Sequence, residues 1–179
     1  MPTIRIIRRK TLYQGRVIRL VHELLEVRGR RFVRETIQHP GAVVVVPMLD
    51  ASRIVFVRQY RRAVKRWLLE LPAGTLDRNE SRRQCAKREL EEETGWRAAR
   101  LARLGRFYAA PGFVSEQLTI FLATGLTPVP ARPEPDELVT PVILSLRTAL
   151  AKIRSGVICD AKTIIGLLFI RDRLRRRTA

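Results

Sequence analysis

The sequence predicts an α/β fold in which a mixed sheet lies between helices, with a small antiparallel β-sheet at the N-terminus. Three observations lead to this prediction. Apolar runs of strand length recur through the first two thirds of the chain, a polar helix with clear end signals interrupts them, and two helical segments follow. With 179 residues and 46% apolar content, the chain is large enough to bury a core of ordinary size.

The N-terminal segment contains three stretches typical of short strands, separated by turn signals at Gln14-Gly15 and Arg28-Gly29. These stretches are TIRIIRR, RVIRLVHELLEV and RFVRETIQ. They predict a three-stranded antiparallel meander, which has too little core to be stable alone. We therefore expect it to pack on the main domain or on a second subunit. His39-Pro40-Gly41 marks the boundary, which divides the chain into an N-terminal β-sheet at 1–39 and a main domain at 40–179.

Two apolar runs of strand length follow this boundary, first GAVVVVPML and then SRIVFVR. Leu49-Asp50-Ala51 lies between them as a turn signal, so together they predict a buried β-hairpin. Trp67 to Gly74 comes next and leads into the polar helix. We expect that helix to leave directly from the backbone of the sheet.

The polar helix has signals at both ends. Ser81 is suited to the N-cap, Gln84 completes a capping box with it, and Gly95 is suited to a left-handed C-terminal stop. These signals predict a helix over residues 82–94. At 100° per residue, one face of this helix carries three carboxylates, while Glu91 points away towards solvent. The three are Glu89, Glu92 and Glu93.

Like charges three or four residues apart on a helix repel each other, so this face is a poor choice for stability alone. Hard divalent ions such as Mg²⁺ or Mn²⁺ prefer oxygen ligands, and they would relieve the repulsion. A solvated face neutralised by Arg82, Arg83 and Arg88 fits the charge spacing equally well.

The remaining elements follow in order. LARLGRFYAA and QLTIFLATGL predict two strands on either side of the segment PGFVSE. The proline-rich segment 127–135 predicts an exposed loop with an acidic end. Beyond it we predict a strand at 139–145 and helices at 146–155 and 160–177. The basic end of the last helix complements the helix dipole, and it could also bind phosphate.

Composition limits the function classes. A net charge of +18 raises the possibility of nucleic-acid binding, but only five of the 35 basic residues are Lys and the Arg residues are spread over the chain. We therefore expect no nucleic-acid partner. No apolar run reaches the roughly 20 residues that cross a membrane, and no signal-peptide pattern begins the chain, so we predict a cytoplasmic protein without a membrane partner.

The region around the polar helix is similar to a known family signature. Gly74, Glu80 and the run from Arg88 to Trp96 match G-x5-E-x7-R-E-U-x-E-E-x-G-U at every specified position. This pattern resembles the Nudix box, and the resemblance implies a hydrolase with the Nudix α/β/α sandwich. Flanking segments resemble the ADP-ribose pyrophosphatase branch of the family: VRQYRRA, LLELPAG, Pro111 and GVICDAKTIIGLLF.

The resemblance implies Mg²⁺-dependent hydrolysis of ADP-ribose to AMP and ribose 5-phosphate, with Mn²⁺ as a possible substitute. A broader nucleoside-diphosphate-sugar pyrophosphatase is the alternative, and a basic RNA-binding or regulatory Nudix-fold protein is the non-enzymatic one. By position, the metal ligands would be Glu89, Glu93 and the carbonyl of Ala73, with Glu92 as a secondary ligand. Arg88 would hold the box glutamates, and Glu80 would support it.

Residues outside the helix complete the predicted site. Arg61 resembles the family arginine that meets the substrate diphosphate. Arg34 is a second candidate for substrate binding. Family dimers exchange the N-terminal sheet, and this exchange would bring Arg34 to the partner's site. The resemblance therefore implies a homodimer. The general base is predicted among loop acids, with Glu137 first and with Glu116 and Glu134 as alternatives.

Overall fold

The structure is a computed structural model that describes residues 3–133 and 137–178. The chain forms two compact units, one of Met1–Gly41 with Tyr108–Gln117 and one of Ala42–Phe107 with Leu118–Ala179. Within the described ranges, no helix is long and apolar enough to cross a membrane.

The first unit is built on a sheet of three strands, which neighbour each other in chain order. Both pairs of neighbours are antiparallel, as the sequence predicts. A left-handed turn at Arg28 and Gly29, with φ of 51° and 71°, joins the second strand to the third. The strands are β1 (Ile4–Gln14), β2 (Arg19–Val27) and β3 (Arg30–Gln38).

This sheet buries very little apolar surface. All of β1 is exposed. Among the residues of this unit that the structure describes, Val21 is the only buried hydrophobic one. The segment after residue 108 adds a few backbone bonds, since Ile37 N donates to Phe113 O at 2.8 Å and Ser115 N donates to Ile37 O at 2.9 Å. The exposed apolar side chains of β1 include Ile4 (63% exposed) and Ile6 (49%).

The second unit contains two sheets. Their strands are β4 (Ala42–Pro47), β5 (Arg53–Arg61), β6 (Arg66–Glu70), β7 (Ala73–Thr75), β8 (Trp96–Tyr108), β9 (Gln117–Pro128) and β10 (Val139–Ser145). The four-stranded sheet has the order β7-β4-β9-β8, with β4 parallel to β9 and antiparallel to β7. The three-stranded sheet has the order β10-β5-β6 and is antiparallel.

The predicted hairpin of β4 and β5 is wrong. The two strands are consecutive and both are largely buried, but they belong to different sheets, and a single bridge between Met48 and Ile54 joins them. Every residue of β4 is buried because this strand lies between β7 and β9 with helices on both faces. Apolar content predicts burial on both faces, but it carries no information about which distant strand supplies the hydrogen bonds.

The three helices are α1 (Arg82–Thr94), α2 (Leu146–Arg154) and α3 (Ala161–Thr178), close to the predicted ranges. The side chains of β4 alternate between the two layers they form. Val43 and Val45 pack with Cys85, Ala86 and Leu90 of α1. On the other face of β4, Val44 and Val46 pack with Leu167 and Ile170 of α3 and with Ala149 of α2. The predicted α/β sandwich with a mixed sheet is confirmed.

Two further expectations need correction. α1 does not leave directly from the sheet, because residues 76–81 separate it from the end of β7. β9 extends to Pro128, so the predicted loop at 127–135 is shorter and residues 129–133 have no regular structure. Glu134, Pro135 and Asp136 lie outside the described residues.

Candidate active site

Local sequence signals fix the position of α1. The Ser81 side chain accepts a hydrogen bond from Gln84 N, and the Gln84 side chain accepts one from Ser81 N, which together form the predicted capping box. Gly95 ends the helix with φ of 69°, in the left-handed region that favours glycine. Glu91 pairs with Arg97 at 2.9 Å, away from the other acids of the helix.

Two glutamates of α1 are buried against β7. Glu89 is 7% exposed and Glu93 is 2% exposed, which is rare for carboxylates. Gly74 makes room for the first of them, because a Cβ at this position would lie 1.7 Å from Glu89 Oε1. The glycine that opens the sequence motif is therefore required by the close approach of the helix carboxylate to the strand.

The backbone of β7 contacts the second glutamate. Ala73 N donates to Glu93 Oε2 at 3.1 Å. The other oxygen, Glu93 Oε1, is buried and has no hydrogen-bond partner within the described residues. A buried oxygen left in this state costs free energy, so the atom requires a ligand or a proton.

The pKa values of Glu89 and Glu93 also indicate that these carboxylates need a cation or a proton. Burial raises the pKa of Glu93 to about 8, and the negative charges of Glu89 and Glu137 add to that effect. Burial also raises the pKa of Glu89 to about 7, against the opposing effect of Arg88 and with smaller contributions from Glu137 and Glu92. The site therefore has more negative charge than its arginines neutralise, and Glu137 acts on both glutamates.

Arg88 joins the acids around the helix. Its Nη1 donates to Glu89 Oε1 at 2.7 Å and to Glu92 Oε2 at 3.1 Å. Its Nε and Nη2 each donate to a Glu80 oxygen at 2.9 Å, in a two-pronged pair. Nη2 also donates to Thr75 O at 3.3 Å. The structure thus brings together four of the acids and bases that the sequence singled out.

A second charged cluster contains Arg61. Its Nε donates to Glu70 Oε1 at 3.0 Å and its Nη2 to Glu70 Oε2 at 2.6 Å. Lys162 Nζ donates to the same Glu70 Oε2 at 2.5 Å and lies 3.0 Å from Asp160 Oδ1. Burial opposes the charged form of Arg61, but the hydrogen bonds to Glu70 and the charge of Glu70 raise its pKa, and the charge of Glu93 adds to this rise.

Comparison with known proteins now decides the family. The model of the NUDIX domain matches residues 38–160, which is more than half of the chain. The chain belongs to the Nudix family. Together with the relatives described below, this membership confirms the enzymatic interpretation, a Nudix hydrolase.

Nudix relatives and a solved structure extend the match to nearly the whole chain. An ADP-ribose pyrophosphatase of Bacillus subtilis (strain 168) is 36% identical over 167 residues, covering 92% of this chain and 90% of the relative. A methanol dehydrogenase activator of Bacillus methanolicus has the same identity and coverage. A crystal structure of an ADP compounds hydrolase has a TM-score of 0.85 and 26% identity, and covers 98% and 95% of the two chains.

Glu89, Glu92 and Glu93 are compatible with a divalent cation. In the described ranges, however, no group of three His, Cys, Asp or Glu side chains lies closely enough together to hold a metal ion by itself. Arg88 occupies one oxygen of Glu89 and one of Glu92. The oxygen-rich donor set, the unsatisfied Glu93 Oε1 and the raised pKa values of Glu89 and Glu93 all fit a hard cation.

The other predicted residues lie in different places. Glu137 lies two residues before the start of β10 and acts electrostatically on Glu89 and Glu93, and Glu134 lies outside the described residues. Arg34 and Glu116 belong to the first unit. Arg34 lies over the ring of Phe32 at 5.7 Å and donates to Val33 O, and Glu116 Oε1 is 3.9 Å from His39 Nε2.

Sequence reasoning missed Glu70, which pairs with Arg61, and also Lys162 and Asp160, which join Glu70 in the same charged cluster. The segments LLELPAG and GVICDAKTIIGLLF contain all three residues, but their sequences indicate only a family resemblance and not the contact between them. Glu70 ends the short strand β6 directly after three apolar residues and is 1% exposed. An acid in so apolar a strand is the signal that predicts a buried ion pair.

Proposed function

We propose that this chain is a Mg²⁺-dependent pyrophosphatase that hydrolyses ADP-ribose to AMP and ribose 5-phosphate. The observation that carries the proposal is the buried carboxylate pair of α1, with one oxygen of Glu93 unsatisfied and with the pKa values of Glu89 and Glu93 both raised. Similarity to an ADP-ribose pyrophosphatase over nine-tenths of both chains supports this choice of substrate.

Nudix hydrolases generally use divalent metals, and the donor set here suits Mg²⁺ with Mn²⁺ as a substitute. Glu89, Glu93 and the Ala73 carbonyl would hold the metal, with Glu92 in a secondary role. A bound ion would neutralise charge on the diphosphate and lower the pKa of water. Arg88 keeps Glu89 and Glu92 on one side of the helix, and Glu80 fixes the arginine by accepting two of its hydrogen bonds.

The remaining residues bind substrate and move a proton. In the hydrolysis, the oxygen of water bonds to one phosphorus, the bond from that phosphorus to the bridging oxygen breaks, and a water proton passes to a base. We assign the base to Glu137, whose charge acts on both Glu89 and Glu93. Glu116 and Glu134 are the alternatives. Arg61 would contact the diphosphate through its free edge, and Arg34 would do so from a partner subunit.

The N-terminal sheet, residues 1–39, is proposed to form a homodimer by exchange between two subunits. Its exposed apolar side chains on β1 support this role, since a three-stranded sheet with so small a core needs a further packing surface. The main domain at 40–179 would carry the site. A cytoplasmic location stays a prediction.

A broader nucleoside-diphosphate-sugar pyrophosphatase is the second candidate. The solved structure with a TM-score of 0.85 is described as a hydrolase of ADP compounds, a class wider than ADP-ribose. Both candidates share the reaction and the residues, and they differ only in the tolerance for the sugar and the base.

A substrate panel separates the candidates. The purified protein would be incubated with ADP-ribose, ADP-glucose, GDP-mannose and UDP-glucose, with Mg²⁺ or with EDTA, and products would be identified by chromatography. We expect AMP and ribose 5-phosphate from ADP-ribose, only with the metal. Equal turnover of all four would favour the broader enzyme, and no turnover of any would refute the proposal.

A further inference from the structure

The cluster around Glu70 provides a residue for the site that the sequence motif does not contain. We propose that Lys162 is a positioning residue, which holds Glu70 so that Glu70 presents the free edge of Arg61 to a diphosphate. This inference rests on the proposed function, because it takes Arg61 as a contact of the substrate.

The geometry of Glu70 shows why a second cation matters. Glu70 is 1% exposed, and its Oε2 accepts hydrogen bonds from both Arg61 Nη2 and Lys162 Nζ, at 2.6 and 2.5 Å. Its Oε1 accepts from Arg61 Nε at 3.0 Å. These bonds use the Nε and Nη2 edge of the arginine. Within the described residues Arg61 Nη1 makes no hydrogen bond, so this nitrogen can face a ligand.

Lys162 is itself held in place at the start of α3. Asp160 Oδ1 lies 3.0 Å from Lys162 Nζ, and Asp160 Oδ2 accepts hydrogen bonds from Thr163 N at 3.0 Å and from Thr163 Oγ1 at 2.6 Å. Thr163 Oγ1 in turn accepts from Leu71 N at 2.8 Å, on the chain that runs from Glu70 to Ala73. The lysine is therefore fixed relative to the same backbone that contacts Glu93.

The charge balance gives the expected direction of the effect. Glu70 and Asp160 carry two negative charges, which Arg61 and Lys162 balance. If Lys162 loses its charge, Arg61 alone must neutralise a buried carboxylate. Glu70 Oε2 would lose its hydrogen bond from Lys162 Nζ, so Glu70 would be held in place less firmly and would present Arg61 less well to an incoming diphosphate. Substrate affinity should fall more than kcat, because the interaction exists before chemistry begins.

The test compares Lys162→Met with wild type in two measurements on the full-length protein. The first is the Kd for ADP-ribose by titration calorimetry in EDTA, where hydrolysis does not interfere. The second is the split between KM and kcat with Mg²⁺. We expect Kd and KM to rise about tenfold in Lys162→Met, with kcat changed less than threefold, and Lys162→Arg to restore most of the affinity.

Two controls separate positioning from loss of structure. Lys152→Met removes the same charge from α2, where the lysine side chain has no ion pair in the described structure, and it should leave Kd unchanged. If Lys162→Met fails to fold, Lys162→Gln keeps a hydrogen-bond donor and takes its place. In an Arg61→Gln background the lysine change should have no further effect on Kd, since the lysine acts through the arginine.

The outcomes are distinct. An unchanged Kd in Lys162→Met, or the same loss of affinity in the Arg61→Gln background, would overturn the positioning role and leave the proposed reaction intact. Absence of turnover in wild type would refute the reaction, while the calorimetric comparison would still decide whether Lys162 controls the affinity of this site for a diphosphate. Absence of both ADP-ribose binding and Mg²⁺-dependent turnover in wild type would overturn both.

Discussion

Buried carboxylates need room and positive charge, and single residues of this chain supply both. Gly74 allows Glu89 to approach the strand, and Arg88 donates to Glu89 and Glu92 while Glu80 holds the arginine. What remains uncompensated is Glu93, with one buried oxygen that has no partner among the described residues. Arg88 and Glu80 therefore fix Glu89 and Glu92 in position, whereas one oxygen of Glu93 is left for a ligand.

Replacing Gly74 with alanine tests the need for room. The added Cβ would lie 1.7 Å from Glu89 Oε1 and 1.8 Å from its Cδ, so the glutamate must leave its position. We expect Gly74→Ala to reduce kcat for ADP-ribose by roughly 10² or more, since loss of a metal ligand removes several kcal/mol of transition-state stabilisation. Gly112→Ala is the matched control, because nothing lies within 4 Å of its Cβ position. Comparable losses in both variants would contradict this reading of Gly74.

The pH dependence of stability tests the charge imbalance. Burial raises the pKa of Glu89 from 4.5 to about 7 and that of Glu93 from 4.5 to about 8. Above about pH 4.5 the unfolded chain has released these protons while the folded chain retains them, so the free energy of unfolding falls as the pH rises through 7 and 8. We expect Tm in EDTA to fall across this window.

Adding Mg²⁺ and replacing Glu93 identify the groups responsible for the fall in Tm. Mg²⁺ should raise Tm most at the alkaline end, where the carboxylates are ionised and bind a cation best. Glu93→Gln should flatten the metal-free profile, because the amide does not titrate. A profile that stays equally steep in Glu93→Gln would assign the titration to other groups.

At the scale of elements, signals within a short stretch of sequence predicted the helix ends, but they did not predict which distant segments pair. The range of α1 follows from Ser81, Gln84 and Gly95, all of which act within the helix or its first neighbours. The pairing of β4 with β9 joins residues 76 positions apart, such as Ala42 and Leu118, so alternation and apolar content could not reveal it. The same limit hid Lys162 and Glu70, which are separated by 92 residues and meet only in the folded chain.

The segment before β10 provides the predicted base, and its test belongs to this scale. We expect Glu137→Gln to lower kcat by roughly 10² or more with KM changed little, because a base acts on the proton of water rather than on substrate affinity. Glu134→Gln and Glu116→Gln are matched comparisons with the alternative acids. Wild-type kcat in Glu137→Gln beside a large loss in Glu116→Gln would transfer the role to the earlier loop.

On the scale of the whole molecule, the N-terminal sheet poses the question of assembly. β1 is exposed along its whole length and carries large apolar side chains, which in a monomer would remain in water. The general basic character does not explain this surface, because the net charge of +18 is spread over the sequence. A second subunit is the partner that the proposed sheet exchange supplies.

Substitutions on β1 test that assembly without removing the sheet. Ile4→Asp and Ile6→Asp together should cost a monomer little, since these side chains are 63% and 49% exposed, but should disrupt a dimer that buries them. Light scattering should report a dimer for wild type and a monomer for the variant, with Thr3→Asp as a control outside the strand. Deletion of residues 3–38 should also abolish the dimer. A fully active wild-type monomer at micromolar concentration would refute both the exchange and the role of Arg34.

The central claim is that the buried glutamates of α1 hold the metal on which hydrolysis of ADP-ribose depends. The most direct measurement is kcat for ADP-ribose at saturating Mg²⁺ in Glu89→Gln and Glu93→Gln, with Glu91→Gln as the control on the opposite side of the same helix. We predict that the first two variants remain folded and lose activity by orders of magnitude, while the third stays near wild type. Near-normal turnover in Glu89→Gln and Glu93→Gln would contradict the claim.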